Sequence, residues 1–317
     1  MAKWKSRNRE VACKIIEIGK SASSISDDLQ RSFLHEIAAY RELSGPYIVR
    51  SYAYATSDLP ATRIHGPKTQ LMILMELMGR GSLQNLLEKE ANQLSLRRKL
   101  SMARQIASAM RRIHQHGMIH RDIRPDNILI TDDYVAKIGD MGIARVLDPN
   151  GQQTQIGCLQ FMPPEFFQHS SDGFIKCDEK LDIFTFGLTL NQLFTEIIHD
   201  TKFNSSGSRI IIKKESPIFY NDIIFKCLNN DSKKRPTAIE IEYILEIYEQ
   251  SFSQTMLTDS YARMNPQEKD QIFLKFYHKN QPTMQHFIDN KFHEQLLRPI
   301  SIENQQSTSN KDPCRIT

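Results

Sequence analysis

Three polar side chains near the middle of the sequence stand at a spacing that can do chemistry. Asp122 lies in His120-Arg121-Asp122-Ile123-Arg124-Pro125-Asp126-Asn127, and Asn127 follows it by five residues. Asp140 comes eighteen residues after Asp122, in Asp140-Met141-Gly142, and Glu165 twenty-five residues later in Met162-Pro163-Pro164-Glu165. Ile128-Leu129-Ile130, directly after Asn127, reads as a short strand. A carboxylate beside an attacking hydroxyl, an amide five residues on and a second carboxylate on a following strand can converge on one metal–phosphate group. Hard divalent cations are held by oxygen donors of this kind, and a carboxylate can accept a hydroxyl proton. Taken singly, Asp122 is as readily a loop carboxylate that holds a turn. It is the set that carries the reading.

In order and spacing these segments resemble the catalytic loop (H-R-D-x-x-x-x-N), the metal-binding D-F-G and the A-P-E motif of the protein kinase family. The resemblance covers roughly residues 3–250 and implies an α+β, bilobal protein kinase-like fold. That fold is a small sheet-plus-helix lobe (1–78), a mainly helical lobe (79–250) and here a polar extension (251–317), partly helical and then disordered. It implies ATP and Mg²⁺ as cofactors and a protein substrate. Asp122 would accept the substrate proton, Arg124 would neutralise charge on the moving phosphoryl group, and Asn127 and Asp140 would hold the metal. Val11-Ala12-Cys13-Lys14 resembles the V-A-I-K strand, so Lys14 would hold phosphates and Glu36 would pair with it, although Glu42 shares that helix. Leu74-Met75-Glu76-Leu77-Met78 resembles the hinge, with Met75 as gatekeeper and Glu76 and Met78 against the adenine. Plain core packing is the simpler role for so methionine-rich a strand. Asp182 resembles the aspartate that braces the catalytic loop, and Arg235 the arginine that pairs with Glu165. Arg121 is expected to receive a phosphate on the activation segment, with Thr154 as acceptor.

The departures from the pattern are specific. No glycine precedes Gly19. The strand and glycine-rich loop that would cover the nucleotide are therefore expected to be absent, which favours a second reading as a pseudokinase or scaffold with impaired ATP binding. Arg124 stands where serine/threonine kinases carry lysine, as in some tyrosine kinases. Pro125 and Gly157-Cys158-Leu159-Gln160-Phe161-Met162 fit the serine/threonine form, with Cys158 a weak donor in place of threonine. Retention of Lys14, Asp122, Asn127 and Asp140 favours a serine/threonine-type enzyme.

The elements that must position these residues follow from patterning. Residues 10–18 are apolar and β-branched and predict a strand, with Lys3-Trp4-Lys5 and a polar hairpin before it. Ser26, Asp27 or Asp28 would cap a helix to about Leu43, with Phe33, Leu34, Ile37, Ala38 and Leu43 at helical spacing. Tyr47 to Thr56 and Leu71 to Leu77 predict two more strands. Ser82 and Ser95 would cap helices over Leu83 to Glu90 and Leu96 to His116, and Leu181 to Ile198 is the most apolar segment. Asn265, Pro266 and Glu268 mark one more helix start.

Bulk composition excludes little but does so cleanly. Apolar content of 40%, charged content of 25% and a formal charge of +4 are those of a globular protein without an electrostatic bias toward nucleic acid or membrane. Lys3, Lys5, Arg7 and Arg9 read as a solvated hairpin rather than a nucleic-acid patch. The five cysteines show no C-x-x-C spacing, which fits a reducing, cytoplasmic setting.

Overall fold

The computed structural model describes residues 2–4, 7–19, 24–60, 67–90, 93–141, 145–146, 161–167, 178–196, 218–258 and 260–280. Strand β1 (Ala2–Trp4) and strand β2 (Arg9–Gly19) form the expected hairpin, pairing Ala2 with Val11 and Trp4 with Arg9. Strands β3 (Ser51–Leu59) and β4 (Lys68–Glu76) complete an antiparallel sheet of order β1-β2-β4-β3. Helix α1 (Ser24–Glu42) packs on it through Phe33 and Ile37, which share a buried cluster with Ile18, Leu71 and Ile73. The helix begins at Ser24, ahead of the capping residues expected from sequence.

One strand differs from expectation for a definite reason. Tyr47 to Arg50 are not part of β3. Ile48 and Val49 are instead buried in the larger core, and the Ile48 segment bridges strand β7 (Ala136–Ile138) in parallel. The Val49 N–H donates to Ile138 O at 2.9 Å and the Ile138 N–H to Tyr47 O at 2.9 Å. An apolar, β-branched run is therefore spent joining the small lobe to the large one.

The large lobe is helical. Helix α2 (Leu83–Lys89) starts at Ser82, which accepts from Asn85 N–H while the Asn85 side chain returns the bond, a capping box with Asn in the usual Glu place. Helix α3 (Leu96–Gln115) is capped by Ser95 and buries Leu100, Ile106, Met110 and Ile113 at helical spacing. Strand β5 (Met118–Ile119) pairs with β8 (Arg145–Val146), and β6 (Ile128–Ile130) pairs with β7.

Helix α4 (Lys180–Thr195) is buried on all sides, which explains why apolar residues occupy every face of it. Helix α5 (Ile218–Cys227) packs on it where Gly187 admits the close approach. Helix α6 (Ala238–Met256) runs through residue 250 and packs on α3, and helix α7 (Pro266–Asn280) packs on α6 through Phe273 and Tyr277 against Tyr248. The packed body thus continues past residue 250. The start of α7 is as read from sequence: Glu268 N–H donates to Asn265 Oδ1 and Asn265 N–H to Glu268 Oε2, both at 2.9 Å. Among the described residues no helix is long and apolar enough to cross a membrane.

Candidate active site

The loop that follows β5 carries Asp122, and one buried carboxylate holds it in shape. Asp182 Oδ1 accepts the Arg121 N–H at 2.7 Å, and Asp182 Oδ2 accepts the His120 N–H at 2.8 Å and stands 2.8 Å from His114 Nε2. Burial alone would raise the Asp182 carboxyl, but the His114 ring and the backbone N–H donors outweigh it and hold it below the usual carboxylate range. These bonds fix Arg121 at a φ of +71°, a left-handed conformation that arginine rarely adopts. His120 Nε2 lies 2.9 Å from Gly139 O and its Nδ1 accepts the Asp122 N–H at 3.2 Å, which assigns the proton to Nε2. Thr189 Oγ1, on α4, donates to Ile123 O at 3.1 Å.

A 3-10 turn, Pro125–Asn127, then returns Asn127 to Asp122. Asn127 Nδ2 donates to Asp122 O at 2.9 Å and Asp122 Oδ2 at 2.6 Å, which turns its Oδ1 away from the aspartate. The Asn127 carbonyl accepts the Gly139 N–H at 2.9 Å, so the loop amide is bonded to the residue that precedes Asp140. Arg124 Nε donates to Asp122 Oδ2 at 3.2 Å, and its Nη1 donates to Asp126.

From the opposite side, β2 brings Lys14. Its ammonium lies 2.8 Å and 2.9 Å from the two oxygens of Glu36 and 2.7 Å from Asp140 Oδ1. Burial opposes the Lys14 charge, yet the Glu36 and Asp140 carboxylates outweigh it and hold the ammonium above its ordinary range. Burial pushes the Glu36 carboxyl up, and Lys14 offsets this only in part. Glu36 is buried and Glu42 is exposed, which separates the two glutamates that the sequence left open. Asp140 also has a positive φ, +53°.

Hinge residues join the two halves. Glu76 ends β4, and both its carboxylate oxygens accept from Lys137 Nζ on β7 at 2.8 Å, while its Oε1 also takes the Arg50 N–H at 2.7 Å. Met78 is buried, and its carbonyl accepts the Gly81 N–H at 3.1 Å. Gly81 sits at φ +73°, where a side chain would be strained. Arg80 N–H donates to Ile130 O and Ile130 N–H to Gly81 O, which ties the segment after Met78 to the strand after Asn127. Met75 packs against both hydrophobic clusters. Arg235 forms a two-pronged ion pair with Glu165 at 2.6 Å and 2.7 Å, its side chain fully buried. Thr154 and Cys158 lie outside the described residues.

The sequence-predicted residues therefore form one chain of contacts, Asp122 to Asn127 to Gly139–Asp140 to Lys14 to Glu36. Sequence reading missed Tyr40, whose hydroxyl accepts the Asp140 N–H at 3.1 Å, as well as His114, Thr189 and Lys137. Tyr40 had a usable signal: it follows Glu36 by one helical turn and so shares its face. Burial, with the Glu36 and Asp140 carboxylates adding to it, pushes the Tyr40 phenol far above its ordinary range, leaving a neutral hydroxyl. A cavity of about 420 Å³ is lined by Ile37, Tyr40, Arg41 and Tyr54, among others.

A family model described as protein tyrosine and serine/threonine kinase matches residues 1–245. The chain belongs to that kinase family. A probable LIM domain-containing serine/threonine-protein kinase of Dictyostelium discoideum is 35% identical over 199 residues, covering 58% of this chain and 30% of the relative. Serine/threonine-protein kinase STY17 of Arabidopsis thaliana is 26% identical over 244 residues, covering 74% of this chain and 40% of its own length. A putative serine/threonine-protein kinase/receptor of Acanthamoeba polyphaga mimivirus is 29% identical over 263 residues, 75% of this chain and 15% of the relative. The chain thus spans less than half the length of these curated relatives.

For Mg²⁺, the donor set fits. Asn127 Oδ1 and the Asp140 carboxylate are hard oxygen donors on neighbouring, mutually bonded segments. Among the described residues no group of three or more His, Cys, Asp or Glu forms a preformed metal cage. Mg²⁺ needs none, since one or two protein oxygens together with phosphates suffice for it.

Proposed function

We propose that this kinase-family chain transfers the γ-phosphate of ATP to serine or threonine hydroxyls of protein substrates. The observation that carries the reading is the Lys14 ammonium, bonded at once to Glu36 and Asp140, with the Asp122–Asn127 pair joined to the residue before Asp140. In such a site Lys14 holds the phosphates while Glu36 keeps the ammonium in place. Asp122 orients the substrate hydroxyl and accepts its proton, and Asn127 fixes the Asp122 carboxylate for that task. Arg124, bonded to Asp122, adds positive charge where the transferred group passes. Asn127 and Asp140 would hold Mg²⁺, which when bound neutralises charge on the phosphates. Glu76 and Met78, in the segment that joins the lobes, would meet the adenine. Most of the rate comes from placement and charge stabilisation rather than from covalent participation. The serine/threonine preference rests on Pro125, on the segment that ends at Glu165, and on relatives bearing that name. A cytoplasmic protein partner is the corresponding expectation.

The test is transfer of labelled phosphate from ATP to a generic protein substrate with and without Mg²⁺. Asp122→Asn should lower the rate by about 10²- to 10⁴-fold, the span of a lost general base, with ATP binding retained. Equal signal from wild type and variant would sink the enzyme reading. In that case binding of ATP without transfer marks a scaffold with the kinase fold.

A further inference from the structure

We propose that Tyr40 is a positioning residue for Asp140: its hydroxyl pins the backbone that aims this carboxylate. The proposal rests on the reading of Asp140 as a metal ligand given above. Asp140 sits at φ +53°, a region that non-glycine residues occupy only when their surroundings hold them there. The Asp140 N–H donates to the Tyr40 hydroxyl at 3.1 Å.

The hydroxyl, rather than the ring, is the specific element. Tyr40 is buried and packs in the large core together with Leu43, Ile138 and Met141. A phenylalanine would fill the same apolar space. It would leave the Asp140 N–H beside an apolar edge without that acceptor. Rotating the Gly139–Asp140 peptide breaks this bond, so the hydroxyl sets the direction of the Asp140 backbone.

Helical geometry gives the arrangement a second consequence. Glu36 and Tyr40 are one turn apart on the buried face of α1. The helix therefore grips Asp140 twice, through its carboxylate by way of Lys14 and Glu36, and through its backbone by way of Tyr40. A phosphate that engages Lys14 competes for the first grip and leaves the second intact. Tyr40 thus acts on metal placement and leaves the Lys14 contacts alone.

The experiment is ADP binding by calorimetry over a range of MgCl₂ concentrations, on the whole chain, for wild type, Tyr40→Phe and Asp140→Asn, with thermal unfolding of each. Tyr40→Phe should raise the half-saturating Mg²⁺ concentration by about fivefold or more, the ratio matching loss of a single neutral hydrogen bond. ADP affinity without Mg²⁺ should stay within about twofold of wild type, inside the same scale. An unchanged Mg²⁺ requirement in Tyr40→Phe, with a clear rise in Asp140→Asn, overturns the role of Tyr40 and leaves the kinase reading standing. If Asp140→Asn also matches wild type, Asp140 holds no metal and both readings fall. If Tyr40→Phe weakens ADP equally at every Mg²⁺ concentration and lowers the unfolding temperature alongside, the hydroxyl is a fold contact only and the proposal is overturned.

Discussion

At the scale of single residues, the most consequential group outside the proposed transfer chemistry is Asp182. It accepts two backbone N–H bonds from the catalytic loop and faces His114, all out of water. Asp182→Ala leaves these buried donors without their acceptor, at about 1–3 kcal/mol each, so a loss of about 3 kcal/mol or more is expected in urea unfolding at neutral pH. The sign of the pH dependence follows from the lowered carboxyl. A group depressed in the folded state stabilises fully above its unfolded value, about 3.9, and loses that contribution as pH falls through the lower folded value. The gap between wild type and Asp182→Ala should narrow below about pH 4. A gap that is constant from neutral pH to acid would show that the carboxylate charge plays no part. Asp122, Asn127 and Asp140 were legible in the sequence because they sit in short contiguous motifs whose spacing is itself the signal. His114 was not, since it matters through a partner 68 residues away, a pairing that no local pattern encodes; for Tyr40 the helical turn from Glu36 gave its face but not its partner 100 residues away. Glu36 was legible as one of two glutamates on a helix, and burial made the choice between them.

At the scale of elements, periodicity and the caps of the large lobe were read well, the start of α1 and the strand limits less so. Ser82, Ser95 and Asn265 each sit at the helix start that their side chains implied. The segment Tyr47 to Arg50 has the composition of a strand, but its hydrogen bonds go to β7 in the other lobe, a tertiary outcome that propensity does not carry. Helix α4 tests how tightly the elements fit. A Cβ built on Gly187 would stand 2.8 Å from Cys227 Cβ and 3.0 Å from Leu228 Cγ, at the crossing of α4 with the end of α5. Gly187→Ala must push two packed helices apart, and about 1–3 kcal/mol of stability should be lost to overpacking, read by denaturant titration. If Gly187→Ala instead stabilises, as alanine in an unconstrained helix does, the contact is looser than this packing implies.

At the scale of the whole molecule, Cys227 is an internal reporter. It is fully buried beside α4, and burial pushes its thiol up to about 12. Alkylation by iodoacetamide near neutral pH should therefore spare Cys227 in the folded chain and modify it at the rate of global unfolding, followed by peptide mass mapping. Rapid native labelling of that peptide would mean that the large lobe opens locally around α5. Two seams meet on β7: the backbone bonds of Tyr47 and Val49 to Ile138, and the Glu76 carboxylate on Lys137. A jaw riveted at two such points gapes by swinging about the line between them. Travel then grows with distance from the rivets, so Leu59 and Lys68, at the end of the sheet remote from Glu76, would sweep the widest arc. Tyr40, whose hydroxyl rests beside the residue two positions after Ile138, would hardly stir.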